Sequence, residues 1–234
     1  VGAWDRTLEE ARKESWSLEE ILDVLTQAEA DYRDRRRALR RLKASKIRNH
    51  AASFEDFDFT AKRSLTKAQL KEIYGLQWLD AGRPLVLVGE TGVGKSFLAQ
   101  ATGLHVCRQK KNALYIPVTQ WMEEQAHARA TGGYLKFRER MIKPDLLILD
   151  DLGMRKFTAL EAEDLRDICE ERSYGKSTMV TTQLPPSHWA EVIPDPVLFE
   201  AIKDRLEGPG LVINITGPSY RPKKGSLAGV QKQG

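Results

Sequence analysis

The sequence holds only two cysteines and four histidines, and neither type is arranged for metal or disulfide chemistry. Cys107 and Cys169 stand far apart, each inside an apolar-periodic segment, so they read as reduced core residues. His50, His105, His127 and His188 share no ligand spacing, which argues against a zinc site. Long apolar runs are also missing: none approaches the roughly 18 residues that a bilayer crossing requires. The charged opening from Val1 carries no signal-peptide pattern, so the expectation is a cytoplasmic protein with no membrane partner. No internal repeat is visible. The 234 residues, 41% apolar and 30% charged, suffice for one sizeable domain and an appendage.

The net charge of +4 conceals a separation of signs. Nine basic residues (Arg33, Arg35, Arg36, Arg37, Arg40, Arg41, Lys43, Lys46 and Arg48) face the single acid Asp34 between Arg33 and Arg48. The tail from Arg221 to Gly234 adds Arg221, Lys223, Lys224 and Lys232 without an acid, so the rest of the chain is net acidic. Basic charge gathered in two places predicts an anionic polymer as partner. The first cluster falls on a predicted helix that opens at a capping box, Ser17 with Glu20, and keeps its period through Leu18, Ile21, Leu22, Leu25, Ala28, Tyr32, Leu39 and Leu42. Arg33, Arg36, Arg37, Arg40 and Arg41 would lie on its exposed faces as phosphate contacts.

Gly89, Glu90, Thr91, Gly92, Val93, Gly94, Lys95 and Ser96 fit the pattern G-x-x-x-x-G-K-[ST], between an apolar run ending at Val88 and a helical segment that begins near Phe97. Glycines at this spacing let backbone N–H groups converge on an anion, and the positive end of the following helix adds to them. The pattern predicts a nucleoside triphosphate, ATP, with residues 89–97 as its cradle. Lys95 would reach the terminal phosphates and the Ser96 hydroxyl a magnesium ion.

Five apolar runs alternate with helical segments: Leu85 to Val88, Ala113 to Val118, Leu146 to Leu149, Ser177 to Thr182 and Leu211 to Ile215. That alternation predicts an α/β fold with a five-stranded parallel sheet between helices. A single amphipathic helix is expected from Leu65 to Leu79. The segment "PDLLILDDLG" puts Asp150 and Asp151 at the carboxyl end of a buried strand, where open α/β sheets bind ligands. Asp150 would hold magnesium, and Asp151 would orient or deprotonate the attacking water.

The P-loop, "LLILDDLG", "MVTTQLP" and "AIKDRL" occur in the order found in AAA+ ATPases of the initiator and helicase-loader branch, which includes DnaC and DnaA. Within it, "FEDFDF", "TTQLPPSHWAEVIPDP" and "GPSYR" make the chain resemble the IstB-like ATPases that assist transposition of bacterial insertion elements, from the basic helix to Arg221. The resemblance implies a first sensor at Thr182 and Gln183, touching the γ-phosphate or its water. It also implies that Arg205 is offered to the ATP of a neighbouring subunit, where a guanidinium can neutralise developing charge. Without the resemblance, Arg205 would read as a helix-surface ion pair with Asp204 or Glu207. Many relatives carry Asp-Glu where this chain has Asp150-Asp151, so slow turnover is expected. The chain stops soon after the fifth strand, and no helical lid or second-sensor arginine is expected.

The implied organisation is a helical basic domain over 1–52, a linker over 53–64, the ATPase core over 65–220 and a flexible basic tail over 221–234. Head-to-tail subunits would form a ring or helical array around duplex DNA, lined by Arg129, Lys136, Arg138, Arg155 and Lys156. The expected function is an ATP-dependent, sequence-indifferent DNA-binding ATPase that recruits or activates a transposase. Three alternatives stand beside it: a helicase loader acting on single strands, a P-loop kinase for a small metabolite, and an ATP-bound switch whose basic helix docks an acidic partner.

Overall fold

A computed structural model describes residues 11, 13, 14, 16–56 and 64–219. The basic tail and the linker aromatics Phe57 and Phe59 lie outside the described residues. Helix α1 (Leu18–Ala44) starts at the expected capping box: Ser17 accepts from the Glu20 N–H and the Glu20 carboxylate accepts from the Ser17 N–H at 2.7 Å. It runs 27 residues with no buried residue. Its last turn packs on the core through Leu42, Asp34 further back pairs with Lys110 at 2.6 Å, and Ile47, Ala52 and Phe54 then enter the main core.

The core sheet contains β1 (Leu85–Gly89), β2 (Ala113–Pro117), β3 (Leu146–Leu152), β4 (Ser177–Thr182) and β5 (Leu211–Ile215), all parallel, in the order β2-β3-β4-β1-β5. These are the five strands the sequence predicts, except that β2 stops at Pro117, with Val118 opening a helix, and that β3 runs on to Leu152, which pairs with Thr182, and so carries both aspartates within the strand. The expected helix from Leu65 to Leu79 is broken in two, α2 (Lys67–Gly75) and α3 (Gln77–Asp80). Leu76 takes a left-handed φ of 58°, which turns the chain so that Ile73 and Trp78 are both buried and the Trp78 indole N–H donates to the Ile73 carbonyl.

Alternation along the strands sorts the core into two layers. Leu85, Leu87, Leu146, Ile148 and Met179 face one layer, which includes α4 (Lys95–Arg108). Val86, Val88, Leu147, Leu149 and Val180 face the other, built by α5 (Val118–Ala130), α6 (Tyr134–Ile142), α7 (Ala159–Arg172) and α8 (Pro196–Glu207). Each fully buried aliphatic side chain contributes about 1.5–3 kcal/mol. One buried cation ties the second layer together: Arg172 donates to the carbonyls of Met141, Ile142, Pro144 and Ser177 and to the Thr178 hydroxyl. Burial pushes its guanidinium down to about 10, so it stays charged at neutral pH.

Candidate nucleotide site

Gly89 closes β1, and the loop returns into the first turn of α4 at Lys95. Gly92 and Gly94 have φ of 89° and 104°, a region in which side chains are strained. The loop is also tight: a Cβ on Gly89 would lie 2.1 Å from the Ile215 carbonyl oxygen, and one on Gly92 2.1 Å from Ser219 Oγ. Gly94 caps α4 without a side chain, leaving the positive end of a 14-residue helix directed at the loop. Lys95 is buried, and its Nζ donates to the carbonyls of Gly89 and Glu90 at 2.8 and 2.9 Å. Glu90 and Thr91 are exposed, Ser96 is half-buried, and Val93 and Phe97 pack on the first layer.

Asp150 is 3% exposed and accepts two hydroxyl donors: Tyr115 at 2.5 Å on Oδ2 and Thr181 at 2.5 Å on Oδ1. Burial, followed by the charge of Asp150, pushes the Tyr115 phenol well above its ordinary value, so it remains a donor at neutral pH. Thr181 Oγ1 in turn accepts the Asp151 N–H at 2.9 Å. Between Leu149 and Leu152, β3 carries one residue more than β4, a bulge at the acidic pair. Asp151 occupies it with a φ of 60°, a conformation that aspartate tolerates better than most residues. The bulge lets Asp150 keep the parity of Leu146 and Ile148, on the α4 side, while Leu152 joins the opposite core.

The same parity separates the two threonines at the end of β4. Thr181 follows Met179 onto the α4 side, whereas Thr182 faces the opposite layer, where its hydroxyl donates to Leu152 O at 2.9 Å and accepts from the Leu184 N–H at 3.0 Å. Gln183 lies exposed at the strand end, its amide against Met154 Sδ at 3.4 Å. The threonine that reaches the acidic pair is therefore Thr181, and Tyr115 is a second partner that motif reading missed. The register of β4 on β1, which sets Thr181 beside Leu87, is what identifies the threonine.

Arg205, on α8, pairs with Glu170 of α7 and with Asp204. Arg129, Arg138 and Arg155, expected from the sequence as channel-lining cations, pair with Asp164, Glu171 and Glu161, acids of α7 that face each of them. Asp164 also accepts from Gln125 and Tyr134, and Arg129 lies 4.0 Å over the Tyr134 ring. Lys136 and Lys156 are exposed. So are Arg33, Arg36, Arg37 and Arg40 on α1, with Arg41 half-buried. Glu29 and Asp34 pair with Arg33 and Arg37.

The donor set suits a divalent cation. Asp150 is a buried carboxylate whose two partners are neutral hydroxyls, and Ser96 adds a hydroxyl on the first turn of α4. Among the described residues, no helix is long and apolar enough to cross a membrane.

Solved structures share this architecture. The DnaC helicase loader aligns with a TM-score of 0.60 at 21% identity, over 71% of this chain and 98% of its own. The replication initiator DnaA, bound to AMPPCP and single-stranded DNA, aligns with a TM-score of 0.60 at 17% identity, over 71% of this chain and 50% of its own. At such identities the likeness shows the fold alone, an α/β core of the AAA+ P-loop type with the glycine loop after β1. The match reaches further in sequence. The profile of the IstB-like ATP binding protein family fits residues 1–228, and the chain belongs to that family. An insertion-sequence ATP-binding protein of Mycobacterium tuberculosis is 35% identical over 94% of this chain and 88% of its own. One from Sinorhizobium fredii is 36% identical over 94% and 89%.

Proposed function

We propose that the chain hydrolyses ATP between adjoining copies of itself, assembles on duplex DNA in the cytoplasm, and recruits or activates a transposase. The observation that carries this is the joining of an exposed basic helix to a P-loop core: α1 docks by its last turn beside the layer that holds the phosphate loop. Relatives named as ATP-binding proteins of insertion sequences supply the context of transposition.

In this reading the loop N–H groups from Gly89 to Ser96 and the Lys95 ammonium hold the phosphates, Lys95 leaving the carbonyls of Gly89 and Glu90 to do so. Ser96 and Asp150 hold magnesium, which supplies charge neutralisation on the phosphate oxygens when bound. Asp151 takes up the proton of the attacking water, Thr181 orients the acidic pair, and Gln183 faces the γ-phosphate. Arg205 exchanges Glu170 for a neighbour's nucleotide. Arg33, Arg36, Arg37, Arg40 and Arg41, with Lys136 and Lys156, contact DNA phosphates.

Affinity for duplexes of unrelated sequence should fall with salt at a slope of about −0.9 per phosphate contact. Binding indifferent to salt, or confined to one sequence, would defeat the DNA reading. Preference for single strands would transfer the chain to the helicase-loader alternative, which the DnaC likeness in fold keeps in view.

A further inference from the structure

Tyr115 is gripped at both ends. Its main-chain N–H donates to the carbonyl of Ser45, the C-cap residue of α1, at 2.8 Å. Its hydroxyl donates to Asp150 Oδ2 at 2.5 Å. The ring between these bonds is buried, in the core cluster that also holds Ile47 and Ile148.

The Ser45 end is equally constrained. Ser45 is fully buried; its N–H donates to Arg41 O at 2.9 Å and its hydroxyl to Leu42 O at 2.7 Å. Arg41 thus belongs both to the basic cluster and to the turn that Tyr115 holds. β2 is an edge strand, laddered to β3 on one side only, and the Ser45 carbonyl meets it on the other. A shift of the α1 terminus is therefore transmitted to the β2 backbone, and through a rigid aromatic ring to a carboxylate oxygen. Asp150 has few other ways to respond, since its second oxygen is held by Thr181.

We infer that Tyr115 is a positioning residue that couples the DNA-facing helix α1 to Asp150, so that occupancy of α1 resets the carboxylate's affinity for the metal that accompanies ATP. The inference rests on the reading of α1 as a duplex-binding element. A coupling claim requires an equilibrium that both sites bias. Here that equilibrium is magnesium-dependent binding of nucleotide, which can be measured without turnover.

The test uses the full chain, a fluorescent non-hydrolysable ATP analogue, and titration of magnesium with and without a duplex of arbitrary sequence. In the parent protein, duplex should move the magnesium midpoint at least threefold. Tyr115→Phe keeps the ring and loses the hydroxyl; it should bind duplex with the parent's affinity and salt slope, yet show a shift below 1.5-fold. Thr181→Val removes the other hydroxyl on Asp150 without touching the route to α1, so it should move the midpoint itself and keep the duplex-induced shift. Equal loss of the shift in both variants would overturn the inference in favour of a local role in satisfying a buried carboxylate. A full shift in Tyr115→Phe would also overturn it. A parent that binds duplex without any shift sinks the coupling and spares the DNA reading; a parent that binds no duplex sinks both.

Discussion

Arg205 reaches from α8 to α7, where its Nε and Nη2 lie 2.6 and 2.5 Å from the same carboxylate oxygen of Glu170. Both side chains are about one-third exposed, at 33% and 34%, and an ion pair so placed contributes at most about 1 kcal/mol. Arg205 can therefore leave Glu170 for a neighbour's phosphates with little loss of stability. Arg205→Ala should keep ATP affinity within about twofold and abolish hydrolysis, since the stabilisation it offers is felt in the transition state. Mixing it with the Asp151→Asn chain should restore part of the activity, because one junction in the mixture then has an intact arginine and an intact acid. No recovery at any mixing ratio would place Arg205 outside a shared site.

Lys95 gives a second prediction. Its ammonium is parked on two loop carbonyls at 2.8 and 2.9 Å, within reach of any anion the loop receives. A charge-assisted hydrogen bond is worth about 1.5–3 kcal/mol. Lys95→Ala should therefore weaken the ATP analogue about 10- to 100-fold, and sedimentation should show ATP-dependent assembly failing in parallel. Unchanged nucleotide affinity would remove Lys95 from the site.

The features that sequence carries well are those written in consecutive residues. The strands show as apolar runs, the loop as glycines at fixed spacing, and the start of α1 as a capping box at Ser17. What escaped depends on register. Thr181 and Thr182 are indistinguishable as letters, and only the pairing of Leu87 with Thr181 decides which hydroxyl meets Asp150. Tyr115 lies 35 positions before Asp150 and reads as one more apolar strand residue. Arg129, Arg138 and Arg155 look like open cations until α7 brings acids against them.

Asp151 supplies a substitution that separates chemistry from folding. Its φ of 60° lies in the left-handed region, where asparagine is as well tolerated as aspartate. Asp151→Asn should thus keep the bulge and the thermal midpoint while losing general-base capacity, which is typically worth 100-fold or more. The measurement is single-turnover hydrolysis with ATP affinity in parallel. Parent-like turnover would mean that the proton goes elsewhere.

Asp164 sets the last prediction, in which charge governs stability. The residue is buried, which opposes its ionisation, but donors from Arg129, Tyr134 and Gln125 outweigh burial and hold its carboxyl below the ordinary carboxylate range. A carboxylate with a lowered folded pKa adds stability that is complete above its unfolded value, near 4, and drains away as pH falls through the folded value. Arg129 is itself 35% exposed, so what is lost is the set of hydrogen bonds to the buried carboxylate, about 1–3 kcal/mol, which for a domain of this size corresponds to roughly 5 °C in the thermal midpoint. Asp164→Asn should lie below the parent by about that much from pH 6 to 8, and the gap should narrow below pH 4 as the parent loses its own charge. Arg129→Ala should show a comparable loss at neutral pH with duplex affinity unchanged, because its guanidinium serves Asp164. A gap that widens toward acid pH would mean that the carboxylate is destabilised by its surroundings, and weakened duplex binding by a still-folded Arg129→Ala protein would return that arginine to the DNA surface.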